Sequence, residues 1–131
     1  MFGIDTNVLL RVVLADDAQQ AAAARHLMLS TPRQPVFVNR IVLCEAIWTL
    51  GRGYRLSRRQ IADALRACLD NKRLEFEDRA EVEHAAAAFR STGADVSDIL
   101  IGLVNRRAGC TATYSFAEAG IAAGVFAPVP G

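Results

Sequence analysis

Apolar positions along the chain alternate between two spacings. Val36-Phe37-Val38 and Leu74-Glu75-Phe76 are short apolar or alternating runs of strand length, and Phe2-Gly3-Ile4 is a still shorter one. Between them apolar residues recur three and four apart, as on one face of a helix. Residues 8–14 are apolar with Arg11 inserted and predict a first helix. Asp16-Asp17 opens a second, residues 18–29, with acids where the helix dipole favours them. Thr31-Pro32-Arg33-Gln34-Pro35 stops it. Asn39 follows the 36–38 strand and can cap a helix carrying Ile41, Val42, Cys44, Glu45, Ile47, Trp48 and Leu50, which Gly51 and Gly53 end. Ser57 with Gln60 three residues on is a capping box. The helix it opens holds Ile61, Leu65, Cys68 and Leu69 and ends near Asn71. Asp78 starts another helix through residues 85–89, ended by Gly93. Asp95-Val96-Ser97-Asp98 precedes a strongly apolar helix, Ile99 onward, stopped by Gly109. Residues 110–115 read as a fourth, Thr-rich strand and 117–123 as a last short helix. Val125-Phe126 with Val129 reads as a fifth, edge strand, where Pro128 and Pro130 fit an edge or a tail. Strands alternating with helices imply an α/β fold with a central parallel sheet of four to five strands, helices on both faces and right-handed crossovers.

Composition narrows this picture. The 131 residues suggest a single domain, 1–131, able to bury about two-thirds of its unfolded surface. An apolar fraction of 52% argues against disorder. A net charge of +1 gives no global nucleic-acid signature. The basic residues are nonetheless peculiar: fourteen Arg and one Lys, Lys72. Either the planar guanidinium fork is wanted for phosphate and carboxylate, or the genome favours Arg codons. Cys44, Cys68 and Cys110 are odd in number and form no C-x-x-C, which predicts buried thiols in a reduced cytoplasm. Neither a signal-peptide pattern nor a run of about 18 uncharged apolar residues occurs, so a cytoplasmic protein without a membrane span is expected. His26 and His84 have no metal-ligand spacing and read as helix-surface residues. No P-loop is present. A phosphatase nucleophile pattern would need a second Asp two residues after Asp5, and a receiver would need a Lys after a late strand. Neither is found.

The acids carry the candidate chemistry. Asp5 falls at a strand end, where open parallel sheets bind ligands, but Asp is equally at home as a turn residue or N-cap. Glu45 lies among Ile41, Val42, Cys44, Ile47 and Trp48. It therefore reads as a buried acid that either pairs with Arg40 or Arg52 or serves a site. Of Asp95 and Asp98, one reads as a cap and the other as facing a site. Acids gathered at one strand-end face repel unless a cation lies among them, and hard oxygen donors select Mg²⁺ or Mn²⁺. Such a centre suits phosphodiester cleavage. Arg52, Arg55, Arg58 and Arg59 form a basic cluster with no acid between them, either an RNA-backbone patch or a solvated face. Trp48 reads as core rather than as a platform for RNA bases.

These motifs carry a resemblance. Ile4-Asp5-Thr6-Asn7-Val8-Leu9-Leu10-Arg11, then residues 38–54 with Glu45, then Gly93-Ala94-Asp95-Val96-Ser97-Asp98-Ile99-Leu100-Ile101, resemble the PIN domain, and within it the VapC toxins of type II toxin–antitoxin systems. The similarity spans essentially the whole chain. It implies a three-layer α/β/α fold and a Mg²⁺- or Mn²⁺-dependent endoribonuclease. Asp5, Glu45 and Asp98 would be the family's first three acids. Asp5 and Asp98 would bind the metal most directly, and Glu45 would complete the shell or orient the attacking water. Thr6 and Asn39 would hydrogen-bond the acids, with Asp95 auxiliary. The resemblance also implies a homodimer, a cognate antitoxin protein and an RNA substrate. One segment departs from the family. Thr/Ser-Phe-Asp is usual after the fourth strand, and here the chain reads Ser115-Phe116-Ala117-Glu118. Natural loss, replacement by Glu118 or engineered inactivation would each explain Ala117. The alternative expectation is a PIN module, weakened or inactive, that keeps antitoxin and RNA binding.

Overall fold

The computed structural model describes residues 1–14 and 17–131, so the Asp16 half of the expected second-helix start lies outside the described residues. The chain contains two compact units, Met1–Glu77 and Asp78–Gly131.

The first unit runs β1 (Phe2–Gly3), α1 (Thr6–Val13), α2 (Ala18–Ser30), β2 (Val36–Val38), α3 (Arg40–Arg52), α4 (Arg58–Asp70) and β3 (Leu74–Phe76). Its strands form a parallel sheet in the order β1-β2-β3, with Phe2 opposite Val36, Val36 opposite Leu74 and Val38 opposite Phe76. Each crossover carries two helices, as parallel pairing requires. Val36 and Val38 are fully buried, and Leu9, Leu10, Leu43, Leu50, Leu65, Leu69 and Leu74 complete the core around them. The helix starts follow the capping chemistry. Asp17 accepts from Gln20 N, Asn39 from Val42 N, and Ser57 and Gln60 form the reciprocal box. Two arginines tie loops to the sheet. The Arg73 guanidinium donates to the carbonyls of Met28, Thr31 and Gln34, closing the turn that leads into β2. Arg40 donates its backbone N–H to Glu77 Oε1, and its Nε lies 3.2 Å from Glu77 Oε2, which holds the start of α3 to the chain leaving β3.

The second unit runs α5 (Arg79–Ser91), α6 (Val96–Arg107), β4 (Tyr114–Ser115), α7 (Glu118–Ala122) and β5 (Ala127–Pro128). α5 and α6 pack together and bury Val82, Ala85, Phe89, Val96, Ile99 and Leu100. Arg107 near the end of α6 pairs with Glu81 and Asp78 at the start of α5. β4 and β5 pair in parallel.

The fold is thus a helix-rich α/β protein with parallel strands, consistent with the PIN-like α/β/α class. The sheet is small: three strands pair in the first unit and two in the second. Both late strands are shorter than or displaced from the expected segments. The 110–115 strand reduces to Tyr114–Ser115, because Cys110 N–H is used by Asn105 O at the end of α6 and Gly109 takes φ +99. The fifth strand is Ala127–Pro128 rather than residues 125–126, because Val125 and Phe126 both donate their N–H groups to Gly120 O in the turn that ends α7. Among the described residues no helix is long and apolar enough to cross a membrane.

Candidate active site

Asp5 is placed by β1, a strand of two residues. Ile4 N–H still donates to Phe37 O at 3.2 Å, after which the chain leaves the sheet and Asp5 becomes the N-cap of α1. Its Oδ1 accepts from Val8 N at 3.1 Å. The capping role therefore holds, and it leaves Oδ2 of an exposed carboxylate without a hydrogen bond among the described residues. Thr6 opens α1 beside it, half-buried. Asp5 also borders a groove of about 370 Å³ between α1 and α2, with Val8, Arg11, Gln20, Ala24 and Leu27.

Asn39 ends β2 and caps α3, its Oδ1 accepting from Val42 N at 2.8 Å. Glu45 stands further along α3 and is exposed, which corrects the expectation of a buried acid. The reason is the phase of the helix. Val42, Leu43, Ala46 and Leu50 form the buried stripe, so Ile41, Glu45, Trp48 and Arg52 share the opposite side. Ile41 is 69% exposed and Trp48 is 66% exposed, so the core expectation for Trp48 is also corrected. The ion pair expected as one reading of Glu45 is not formed among the described residues, and Arg40 is engaged by Glu77 instead. The expected basic cluster Arg52, Arg55, Arg58 and Arg59 is exposed throughout.

In the second unit Asp95 and Asp98 share the N-terminus of α6. Asp95 occupies the cap position, its C=O accepting from Ile99 N, but its side chain makes no capping hydrogen bond. Asp98 lies in the first turn and is half-buried. Burial pushes its carboxyl above the ordinary value, and the neighbouring Asp95 charge adds to the rise. A helix N-terminus alone would act in the other direction, so desolvation wins here.

The expected fourth-acid position is where the sequence departs. Ala117 occupies the N-cap position of α7 without a side-chain acceptor, whereas Asp5, Asp17 and Asp78 each cap their helices. Ser115 Oγ accepts from Ala117 N at 2.9 Å instead. Glu118 is the first residue of α7 and is exposed.

The remaining candidates are the histidines and cysteines. His26 and His84 are exposed on helices, as expected. Cys68 is buried and its thiol is pushed up to about 11 by burial. Cys44 is half-buried and raised by burial, partly offset by Arg40. Cys110 is exposed, which corrects the expectation of three buried thiols. Its segment passes from the end of α6 into a loop rather than into a strand. Within either unit, no three His, Cys, Asp or Glu side chains among the described residues are gathered closely enough to hold a metal ion. Asp5, Glu45, Asp95 and Asp98 all offer carboxylate oxygens, the donor type that fits Mg²⁺ or Mn²⁺ and not a soft metal. The exposed row on α3 escaped the sequence reading. The spacing of Val42, Ala46 and Leu50 (all small or aliphatic) was the signal that could have found it.

Comparison with curated proteins and with solved structures gave no match. The profile of the PIN domain matches residues 3–116, a span that contains Asp5, Glu45, Asp95 and Asp98. The chain belongs to the PIN-domain family, whose members are generally nucleases and usually use divalent metal ions.

Proposed function

We propose that the chain is a Mg²⁺- or Mn²⁺-dependent endoribonuclease and the toxin of a type II toxin–antitoxin pair, with Asp5, Glu45 and Asp98 as its metal-binding carboxylates. The observation that carries the reading is the PIN match over residues 3–116. Asp98 supports it independently, since burial and Asp95 disfavour its negative charge and a bound cation would relieve both costs. When bound, a divalent cation polarises a phosphoryl oxygen and lowers the pKa of water. The chain's own groups fix the acids. The Val8 N–H holds one oxygen of Asp5 and leaves the other available. Asn39 fixes the start of the helix that carries Glu45. Asp95 adds negative charge beside Asp98. Thr6, next to Asp5, and Ser115 and Glu118, flanking Ala117, are auxiliary. The antitoxin partner and a homodimer rest on the VapC-like order of Asp5-Thr6-Asn7, Glu45 and Asp95-x-x-Asp98.

The second reading, a weakened or inactive PIN module that still binds RNA and antitoxin, is favoured by one observation: Ala117 brings no carboxylate to the start of α7. Purified protein incubated with structured RNA and Mg²⁺ or Mn²⁺, beside Asp5→Asn, tests both. Metal-dependent cleavage that Asp5→Asn abolishes supports the nuclease. Absence of cleavage with every metal, restored by Ala117→Asp, supports the weakened module. If neither form cleaves RNA, the nuclease reading is wrong.

A further inference from the structure

Trp48 is the only tryptophan in the chain and is 66% exposed. A large apolar ring on the surface has a desolvation gain still to make, and its surroundings indicate with what. It lies three residues after Glu45 and four before Arg52 on the exposed side of α3, about 4.5 Å and about 6 Å of helical rise away. Arg52, Arg55 and Arg59 are all exposed, and no acid occurs between residues 52 and 62. An exposed indole followed by arginines is the combination that binds unpaired nucleic acid. The π-face takes a base, and the guanidinium groups take the flanking phosphates. A second copy of the chain is the poorer occupant. Ile41 and Trp48 are separated by the exposed carboxylate of Glu45 and followed by Arg52, so a dry contact here would bury charge among apolar groups. A stable dimer also needs about 800 Å² per partner, far more than two side chains supply.

We propose that Trp48 is a stacking platform for one unpaired base of the RNA substrate, with Arg52, Arg55 and Arg59 on the neighbouring phosphates. The proposal rests on the ribonuclease reading and sharpens it: the strand that reaches Glu45 is single-stranded there. Sequence tolerance follows, because every base has a π-face.

The sole tryptophan makes the site its own reporter. Intrinsic fluorescence is titrated with a short oligouridine, with an abasic oligomer of equal charge, and with a duplex of the same length, all with Ca²⁺ or no metal so that binding is read without turnover. Oligouridine is expected to quench Trp48 saturably, and the abasic oligomer and the duplex are not. By fluorescence anisotropy of a labelled oligouridine, since these variants lack the reporter tryptophan, Trp48→Ala should weaken binding about five- to hundredfold, and Trp48→Phe should retain most of it. Where cleavage is measurable, Trp48→Ala should raise KM more than it lowers kcat. Sedimentation of Trp48→Ala should match wild type. The stacking site is overturned, with the ribonuclease reading intact, if wild type binds or cleaves RNA and Trp48→Ala does so equally well, or if the abasic oligomer binds as tightly. It is also overturned if Trp48→Ala turns a dimer into a monomer with RNA affinity unchanged, which would assign the face to a second copy. If wild type neither binds nor cleaves any RNA, the ribonuclease reading falls and the site with it.

Discussion

At Asp98 the cost of a half-buried charge stands against the metal-binding role proposed for it. Its carboxyl is raised by burial and then by Asp95, so the folded protein holds that proton more tightly than the unfolded chain does. Linkage then fixes the sign. Stability falls as pH rises from the ordinary value of 3.8 through the raised folded value, and the cost persists at neutral pH. Asp98→Asn removes that charge. It should leave metal-free stability unchanged or raise it by no more than about 0.5 kcal/mol at pH 7, the range of a partly solvated surface change. It should also flatten the loss as pH rises from 3.8 through the raised folded value, and it should reduce Mn²⁺-dependent cleavage. Melting temperature against pH, for both proteins without metal, checks this: identical profiles would mean that Asp98 carries no electrostatic cost. At this scale the sequence was partly legible. Asp5 as a strand-end cap and Asp95-x-x-Asp98 as a helix start follow from local rules. Glu45 and Trp48 were misread, because apolar neighbours in sequence lie on both sides of a helix, and only the phase of the buried stripe decides which side is wet.

Elements were legible wherever a chemical signal marked their ends. Asn39, Ser57 with Gln60, and Asp17 start helices where their side chains can accept N–H groups, and Val36–Val38 and Leu74–Phe76 are strands as read. The last twenty or so residues, from 110 onward, were harder. There a two-residue strand leaves no periodicity to read, and the backbone around Val125 and Phe126 is committed to a helix end. That helix end depends on Gly120. A Cβ at this position would lie 2.5 Å from Cδ2 and 2.8 Å from Cε2 of Phe126, whose ring is buried. Gly120→Ala should therefore cost about 1–3 kcal/mol, the usual penalty for overpacking a filled site. Gly93→Ala meets nothing within 4 Å and serves as the control. Urea unfolding of the two variants checks the contrast, and equal midpoints would show that Phe126 moves aside at little cost.

For the whole chain, charge decides how RNA would be met. The order of the acidic motifs made the PIN family legible from sequence, but a net charge of +1 says little about where a polyanion binds. The structure exposes Arg52, Arg55, Arg58 and Arg59 from the end of α3 to the start of α4, a local cluster of positive charge with no acid among them. Binding of single strands releases counterions in proportion to the phosphates neutralised, with a slope of about 0.7 per phosphate in log affinity against log salt. If Arg52, Arg55 and Arg59 each meet one phosphate, replacing all three by Gln should flatten that slope by about two and weaken binding most at low salt. Stacking on Trp48 has no such salt signature. The triple variant and Trp48→Ala should therefore separate cleanly: the first changes the slope, the second lowers affinity by a similar factor at every salt concentration. Fluorescence anisotropy of a labelled RNA oligomer across a salt series reads both. An unchanged slope in the triple variant would make the arginines a solvated face and move the phosphate contacts elsewhere on the protein.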